Sequence, residues 1–304
     1  MSERTTFRTI FEDLKESLEG AGNHMLSYFL ANLGMIVFIV FALAIVAVPI
    51  LGIIILVGPE VLASLALNMT GWSLTNPWSL TLLGVIVILP FVALGFMYLG
   101  SLFGMSKEVV ETGTTKAESA FSWLRHNFLS FAGAGVVLTL IVVLPQALVV
   151  TTISYLNGYT ITGWVSFGVS LFVFVYSFIT LGLTSMVLPA IVNGKGVQDA
   201  FFESYKLATE RFDRVFGVHT AIVLLGLLMF SPILGLGVGF ILYPALTLAP
   251  LVMIAIALWT VFAVFLWLIL LLPMSYIAYT RVYHDLTGVT IAQQTRTTPE
   301  VPMV

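Results

Sequence analysis

No cysteine occurs anywhere in the chain. Disulfides, cysteine-ligated iron–sulfur clusters and thiolate zinc sites are therefore excluded, while the redox compartment stays open. Charge is almost as scarce. Asp, Glu, Lys and Arg make up 9% of the 304 residues, against roughly 25% in a soluble globular domain. The net charge of -3 is small and no basic cluster interrupts the sequence, so nucleic acid is not an expected partner. What is abundant is apolar side chain, at 59%. A chain so poor in polar groups cannot clothe its surface for water, and lipid must solvate most of it.

The few charges mark where the chain leaves the membrane. No Asp, Glu, Lys or Arg lies between Glu19 and Glu60, Glu60 and Lys107, Arg125 and Lys195, or Arg214 and Arg281. A helix needs about 20 apolar residues to cross the hydrocarbon core. The first two gaps supply one span each, separated by a polar turn around Asn68, Thr70, Ser73, Thr75, Asn76 and Pro77. The last two supply a hairpin each, divided near Ser154–Gly158 and near Tyr243-Pro244. The expected spans are roughly 28–57, 78–104, 128–152, 164–192, 216–242 and 251–279. The opening, with Glu3, Arg4, Arg8, Glu12, Asp13 and Lys15, is mixed in charge, and the apolar run after it is too long for a signal peptide. That run reads as the first span.

Orientation follows from the cations. Arg4, Arg8 and Lys15 precede span one; Lys107, Lys116 and Arg125 lie between spans two and three. Lys195, Lys206, Arg211 and Arg214 lie between four and five, and Arg281 and Arg296 follow span six. The alternate loops have no Lys or Arg. The positive-inside rule makes the cation-bearing side cytoplasmic, with both termini on it, in a cell membrane. Aromatics agree: Trp72, Trp78, Tyr155, Tyr159, Trp164 and Tyr243 fall near the outer interface, and Tyr276, Tyr279 and Tyr283 near the inner one.

The spans come in three pairs, each led by an amphipathic stretch. Phe7, Ile10, Phe11, Leu14 and Leu18 form the first apolar face. Ala117, Ala120, Phe121, Leu124 and Phe128 form the second, opened by a capping-box pattern at Thr115-x-x-Glu118. Val197, Ala200, Phe201, Ser204 and Ala208 form the third. Phe11, Phe121 and Phe201 superpose, preceded by Ile10, Ala120 and Ala200. Each odd span has an outer proline (Pro49, Pro145, Pro232), and each even span a Leu-Pro pair ending at Pro90, Pro189 or Pro273. Proline frees a carbonyl and bends the helix, so the bundle is expected to be splayed or cupped. The expected fold is an all-α integral membrane protein of six spans in three hairpins, each preceded by a cytoplasmic amphipathic helix. It is one membrane domain over 1–286, with repeats at about 5–104, 113–192 and 195–286, followed by a disordered cytoplasmic tail over 287–304. Mitochondrial carriers also have three two-span repeats, but no charges follow Pro49 or Pro145 here, so that family is rejected.

Reactive constellations are missing. No Asp, Glu, Lys or Arg lies inside a span, which argues against a proton-coupled transporter. Gln146 reads as the most polar residue at depth, suited to an interhelical hydrogen bond more than to a substrate. His24, His126, His219 and His284 are scattered near the inner interface without metal-ligand spacing. His284-Asp285 reads as a solvated helix end, and an enzyme would need His126, His219 and Glu118 to converge. Gly100-x-x-x-Gly104 and Gly235-x-x-x-Gly239 allow close helix approach, within the chain or between chains. Asn68-Met69-Thr70 is a glycosylation sequon in the outer loop. The amphipathic stretches carry mixed charge, so no polybasic anchor is expected.

The exit of the last span reads Pro273, then Tyr279-Thr280-Arg281-Val282-Tyr283-His284-Asp285-Leu286, and a short helix, Gly196-Val197-Gln198-Asp199-Ala200-Phe201 with Ser204, precedes span five. With this arrangement the chain resembles a group of uncharacterised prokaryotic six-span proteins, itself similar to the membrane domain attached to some glycerophosphodiester phosphodiesterases. The resemblance implies a membrane fold and no catalytic residues, because the phosphodiesterase chemistry belongs to a separate soluble domain. No catalytic, cofactor-binding or metal-binding residue is nominated, and no cofactor is expected. The expected role is non-enzymatic, organising membrane lipids or partner proteins, with a homo-oligomer or a membrane-protein partner left open. The alternative is a transporter or channel for a small or apolar solute.

Overall fold

The computed structural model describes residues 7–242 and 249–288. Arg4, the turn at Tyr243-Pro244, Arg296 and the tail over 289–304 lie outside the described residues. Every element is helical, and no strand occurs among the described residues. In order they are α1 (Phe7–Asn23), α2 (Met25–Val57), α3 (Pro59–Thr75), α4 (Pro77–Thr112), α5 (Ala117–Leu138), α6 (Leu144–Leu156) and α7 (Gly163–Thr184). They continue with α8 (Val187–Val192), α9 (Val197–Glu210), α10 (Phe212–Met229), α11 (Ser231–Leu242), α12 (Pro250–Leu266) and α13 (Leu272–Thr287). Single π-helical turns, Thr139–Val143 and Trp267–Leu271, join α5 to α6 and α12 to α13.

Six stretches are long and apolar enough to cross a membrane: Met25–Val57, Pro77–Thr112, Ala117–Leu156, Gly163–Val192, Phe212–Met229 and Pro250–Thr287. They fall on the six spans expected from the charge gaps. The fifth is shorter than expected because its helix breaks at Phe230 (φ -93°, ψ 8°), two residues before Pro232. The polar turn expected between spans one and two is instead a helix, α3. Gly58, at φ +82°, ends α2, and Pro59 starts α3 in the first-turn position that suits its fixed φ. Almost all of α3 is exposed, and its neighbours are α2 and α4, the helices that flank it in the chain.

Three abrupt bends share one backbone form. His24 (φ -113°, ψ 17°) separates α1 from α2, Asn127 (φ -122°, ψ 16°) bends α5, and Arg211 (φ -124°, ψ 42°) separates α9 from α10. Each sits where an amphipathic stretch passes into an odd span. The positions that pack inward are largely small or polar, although Leu124 is buried and Ile10, Leu14 and Phe201 pack against the core. In α1 the inward positions are Asp13, Ser17, Gly20 and Ala21, in α5 Ala120 and Leu124, and in α9 Ala200, Ser204 and Ala208. Phe11, Phe121 and Phe128 are exposed. In lipid a phenylalanine gains nothing by turning inward, whereas a small residue lets two backbones approach. The capping box does not form: Lys116 caps α5 without a side-chain bond, and Thr115 Oγ1 donates to Glu108 Oε2 at 2.8 Å.

The buried core gathers at the end of the bundle that carries the cations, around Tyr28, Met35, Leu102, Met105, Phe131, Ile191, Val215 and Ile277. Towards the other end α2 is largely exposed beyond Met35, as is most of α12, and α2 and α4 run unbroken through Pro49 and Pro90. The tightest packing joins α4 to α5. A Cβ on Gly100 would lie 2.3 Å from the Phe131 ring, and one on Gly104 2.2 Å from Trp123. This glycine pair therefore serves contact within the chain. Gly235 has nothing within 4 Å.

Gly100→Ala and Gly104→Ala should each destabilise the protein by about 1–3 kcal/mol, the usual cost of overpacking. Gly235→Ala should stay within about 0.5 kcal/mol. Unfolding in a denaturing-detergent titration measures all three.

Candidate functional site

Charged side chains form a collar at the basic end. Asp13 on α1 is only 6% exposed. Arg214 at the start of α10 donates through Nη2 to Asp13 Oδ1 at 3.0 Å and to Asp285 Oδ2 on α13 at 2.8 Å. Arg281 pairs with Glu16 beside them. One guanidinium thus joins carboxylates from two helices. His284-Asp285 is not a solvated helix end: Asp285 is bound to Arg214, and His284 is completely buried, its Nε2 3.2 Å from Asn193 Nδ2. The sequence concealed this because His and Asp next to each other on a helix point in different directions, one to the core and one outward.

A second group surrounds α4. Lys107 Nζ donates to the Val192 carbonyl at 3.1 Å, lies 3.7 Å from Glu111 Oε1, and sits 5.7 Å from the centre of the Trp123 ring. Glu108 accepts the Trp123 indole N–H at 2.9 Å. Lys195 and Glu203 pair at 3.2 Å, and the Tyr283 hydroxyl donates to Glu203 at 3.1 Å. Tyr276 and Tyr283 are buried in the core. The outer aromatics do cluster, with Trp78 and Tyr155 ring centres 5.1 Å apart.

Within the spans, polar side chains repair backbone. Pro145 has no N–H for the Ile141 carbonyl four residues back, and the Tyr176 hydroxyl donates to that carbonyl at 2.8 Å. At the second π turn the Leu272 N–H reaches back to Trp267, and Pro273 has no N–H to give. The Leu268 carbonyl is thereby left free, and Asn32 Nδ2 donates to it at 3.2 Å while Tyr98 donates to Asn32 Oδ1. Gln146 bonds Ser177 at 2.8 Å, the interhelical use expected of it. Sequence reading passed over Asn32, which is as polar as Gln146 and more deeply buried. Its place inside the first charge-free run was the available signal.

His126 and His219 each have a partner of their own. His126 Nδ1 bonds the Ser122 carbonyl of its own helix at 2.8 Å, while His219 Nδ1 lies 2.8 Å from the Tyr279 hydroxyl. Glu118 is exposed, and no hydrogen bond joins it to either histidine. No cluster of three His, Cys, Asp or Glu able to hold a metal is found among the described residues.

Grooves indent the surface. One of about 650 Å³ runs between the first π turn, α7 and α9, with Val137, Leu183, Thr184, Val197, Phe201 and Tyr205 on its walls. Thr180 and Thr184 turn their hydroxyls onto carbonyls of their own helix, leaving methyl groups towards the groove. A second, about 480 Å³, lies along α10 below α1. A third, about 430 Å³, lies at the outer end beside Pro232 and Trp259. No protein-family model matches the chain, and comparison with curated proteins and with solved structures finds no match.

Burial pushes the Asp13 carboxyl up to about 6; Arg214 opposes that rise, and Asp285 adds to it. A raised value means the folded protein binds this proton more tightly than the unfolded chain. The contribution to stability is therefore largest below about pH 4 and is lost as pH rises through about 6. Amide hydrogen exchange in α1, corrected for intrinsic rate, should slow as pH falls from 7 to 5, and Asp13→Asn should remove that dependence.

Proposed function

We propose that this chain is a multi-pass protein of the cell membrane with both termini in the cytoplasm, and that it holds membrane lipid without carrying out a reaction. Its spans form three hairpins, each led by an amphipathic helix on the cytoplasmic face. The resemblance to the membrane domain of glycerophosphodiester phosphodiesterases is part of this reading, and so is contact with a second copy or another membrane protein.

The observation that carries the lipid reading is the apolar lining of the grooves between helices, beside α7 and α9 and beside Pro232 and Trp259. Apolar walls inside a membrane are complementary to acyl chains and offer nothing to an ion. A solute path is less well supported, because Gln146 is already bonded to Ser177 and the basic end is filled by core side chains. The threefold order is supported by the matching bends at His24, Asn127 and Arg211. Ile10, Ala120 and Ala200 also share an inward bias, Ile10 packing on Gly217 while Ala120 and Ala200 are fully buried. The repeats are units of chain order and not of packing, since the closest contact, α4 on α5, crosses a repeat boundary.

Because the chain has no cysteine, single-cysteine variants report topology cleanly. Lys116→Cys and Arg211→Cys should react only with a reagent on the cytoplasmic side, and Asn68→Cys only with one on the opposite side. Labelling of Lys116→Cys and Arg211→Cys from opposite sides would refute the orientation. For the role, native mass spectrometry of the purified chain should show retained phospholipid, and relipidation should raise the unfolding temperature of stripped protein. A lipid-free chain whose unfolding temperature ignores added lipid would overturn the lipid reading.

A further inference from the structure

The groove along α10 has a chemical direction that the other two lack. Asp213, Phe216, Gly217, Thr220, Ala221 and Leu224 recur at helical spacing, so they form one stripe that descends from the basic end into the span. Gly217, Thr220 and Ala221 make its floor shallow. Ile10 of α1 and Phe178 of α7 stand at its sides, and Ile10 reaches so close over Gly217 that a Cβ there would lie 2.3 Å from Ile10 Cδ1.

The head of the stripe is a carboxylate beside aromatic faces. Phe212 and Phe216 are stacked, with ring centres 4.4 Å apart and 23° between planes, and Phe212 remains 57% exposed. Asp213 is exposed and pairs with no cation among the described residues. Its neighbours in the collar, Asp13, Glu16 and Asp285, are all engaged by Arg214 or Arg281. An ammonium group set between a carboxylate and a phenylalanine face gains from both. Below it the apolar trough continues into the membrane-spanning part of α10, where an acyl chain fits and a free soluble amine has nothing further to contact.

We propose that this trough binds an ammonium-headed phospholipid from the leaflet on the basic side, with its ammonium at Asp213 and Phe212 and a chain passing beside Ile10 along Thr220, Ala221 and Leu224. The proposal rests on the lipid-holding reading above and adds to it a site and a headgroup class.

The test is native mass spectrometry of the full chain in mild detergent, titrated with equimolar dioleoyl phosphatidylethanolamine and dioleoyl phosphatidylglycerol. Phosphatidylethanolamine adducts should exceed phosphatidylglycerol adducts by about fivefold or more, as expected of one exposed charge contact backed by an aromatic face. Asp213→Asn should bring the two within about twofold without changing the unfolding temperature. Ala221→Phe, which fills the trough below the headgroup, should reduce phosphatidylethanolamine adducts and leave phosphatidylglycerol adducts unchanged. Equal binding of the two lipids by the native chain, or a preference that survives either variant, overturns this site and leaves the lipid-holding reading standing. Retention of neither lipid overturns both.

Discussion

Bare glycine backbone on α4, covered by aromatic rings from α5, is the contact on which the rest of the bundle is built. Phe131 covers Gly100 and Trp123 covers Gly104, while Gly135 of α5 receives Phe96 of α4 in return. Helices in lipid have no hydrophobic drive to associate, so their adhesion comes from dispersion between closely fitted surfaces. Once α5 is held this way, the Trp123 indole lies within reach of Glu108 and under Lys107. Next, α13 lies on α4 with Phe103 against Tyr276, at 4.8 Å between ring centres. The collar then ties α1 and α10 to α13 through Arg214 and Arg281.

Proline creates an obligation that other helices meet. Hydrocarbon offers no water to a freed carbonyl, so each bend must bring its own donor. Tyr176 of α7 serves Ile141 beside Pro145, and Asn32 of α2 serves Leu268 beside Pro273. These bonds couple helix curvature to packing, because losing either donor would leave a carbonyl without a partner in an apolar medium. They also give a structural reason for the few amide and hydroxyl groups found inside the spans.

The two ends of the bundle therefore differ in what holds them. At the basic end, glycine contacts, buried tyrosines and ion pairs lock the helices together. Towards the other end the contacts are individual ones, such as Trp78 and Thr81 of α4 on Thr152 and Thr151 of α6, and side chains such as Leu56, Leu67 and Leu251 face outward.

Six stretches long and apolar enough to span a membrane, and their order, were legible in the sequence, because burying charge in hydrocarbon is costly enough to override other preferences. The π turns fell beside Pro145 and Pro273, and the use of Gln146 followed from its amide, whereas the bends at His24, Asn127 and Arg211 carry no proline. What the sequence did not determine was which faces meet. Helical periodicity marks an apolar stripe, but in a membrane an apolar stripe is equally content against lipid, so Phe11 and Phe121 faced out while Ala120 and Ala200 packed inward. For the same reason only the tertiary structure chose Gly100 and Gly104 over Gly235 as a contact, buried His284, and turned Asn32 towards a carbonyl more than 200 residues away in the chain. Solubility in lipid is a property of each segment alone; fit between segments exists only once they are side by side.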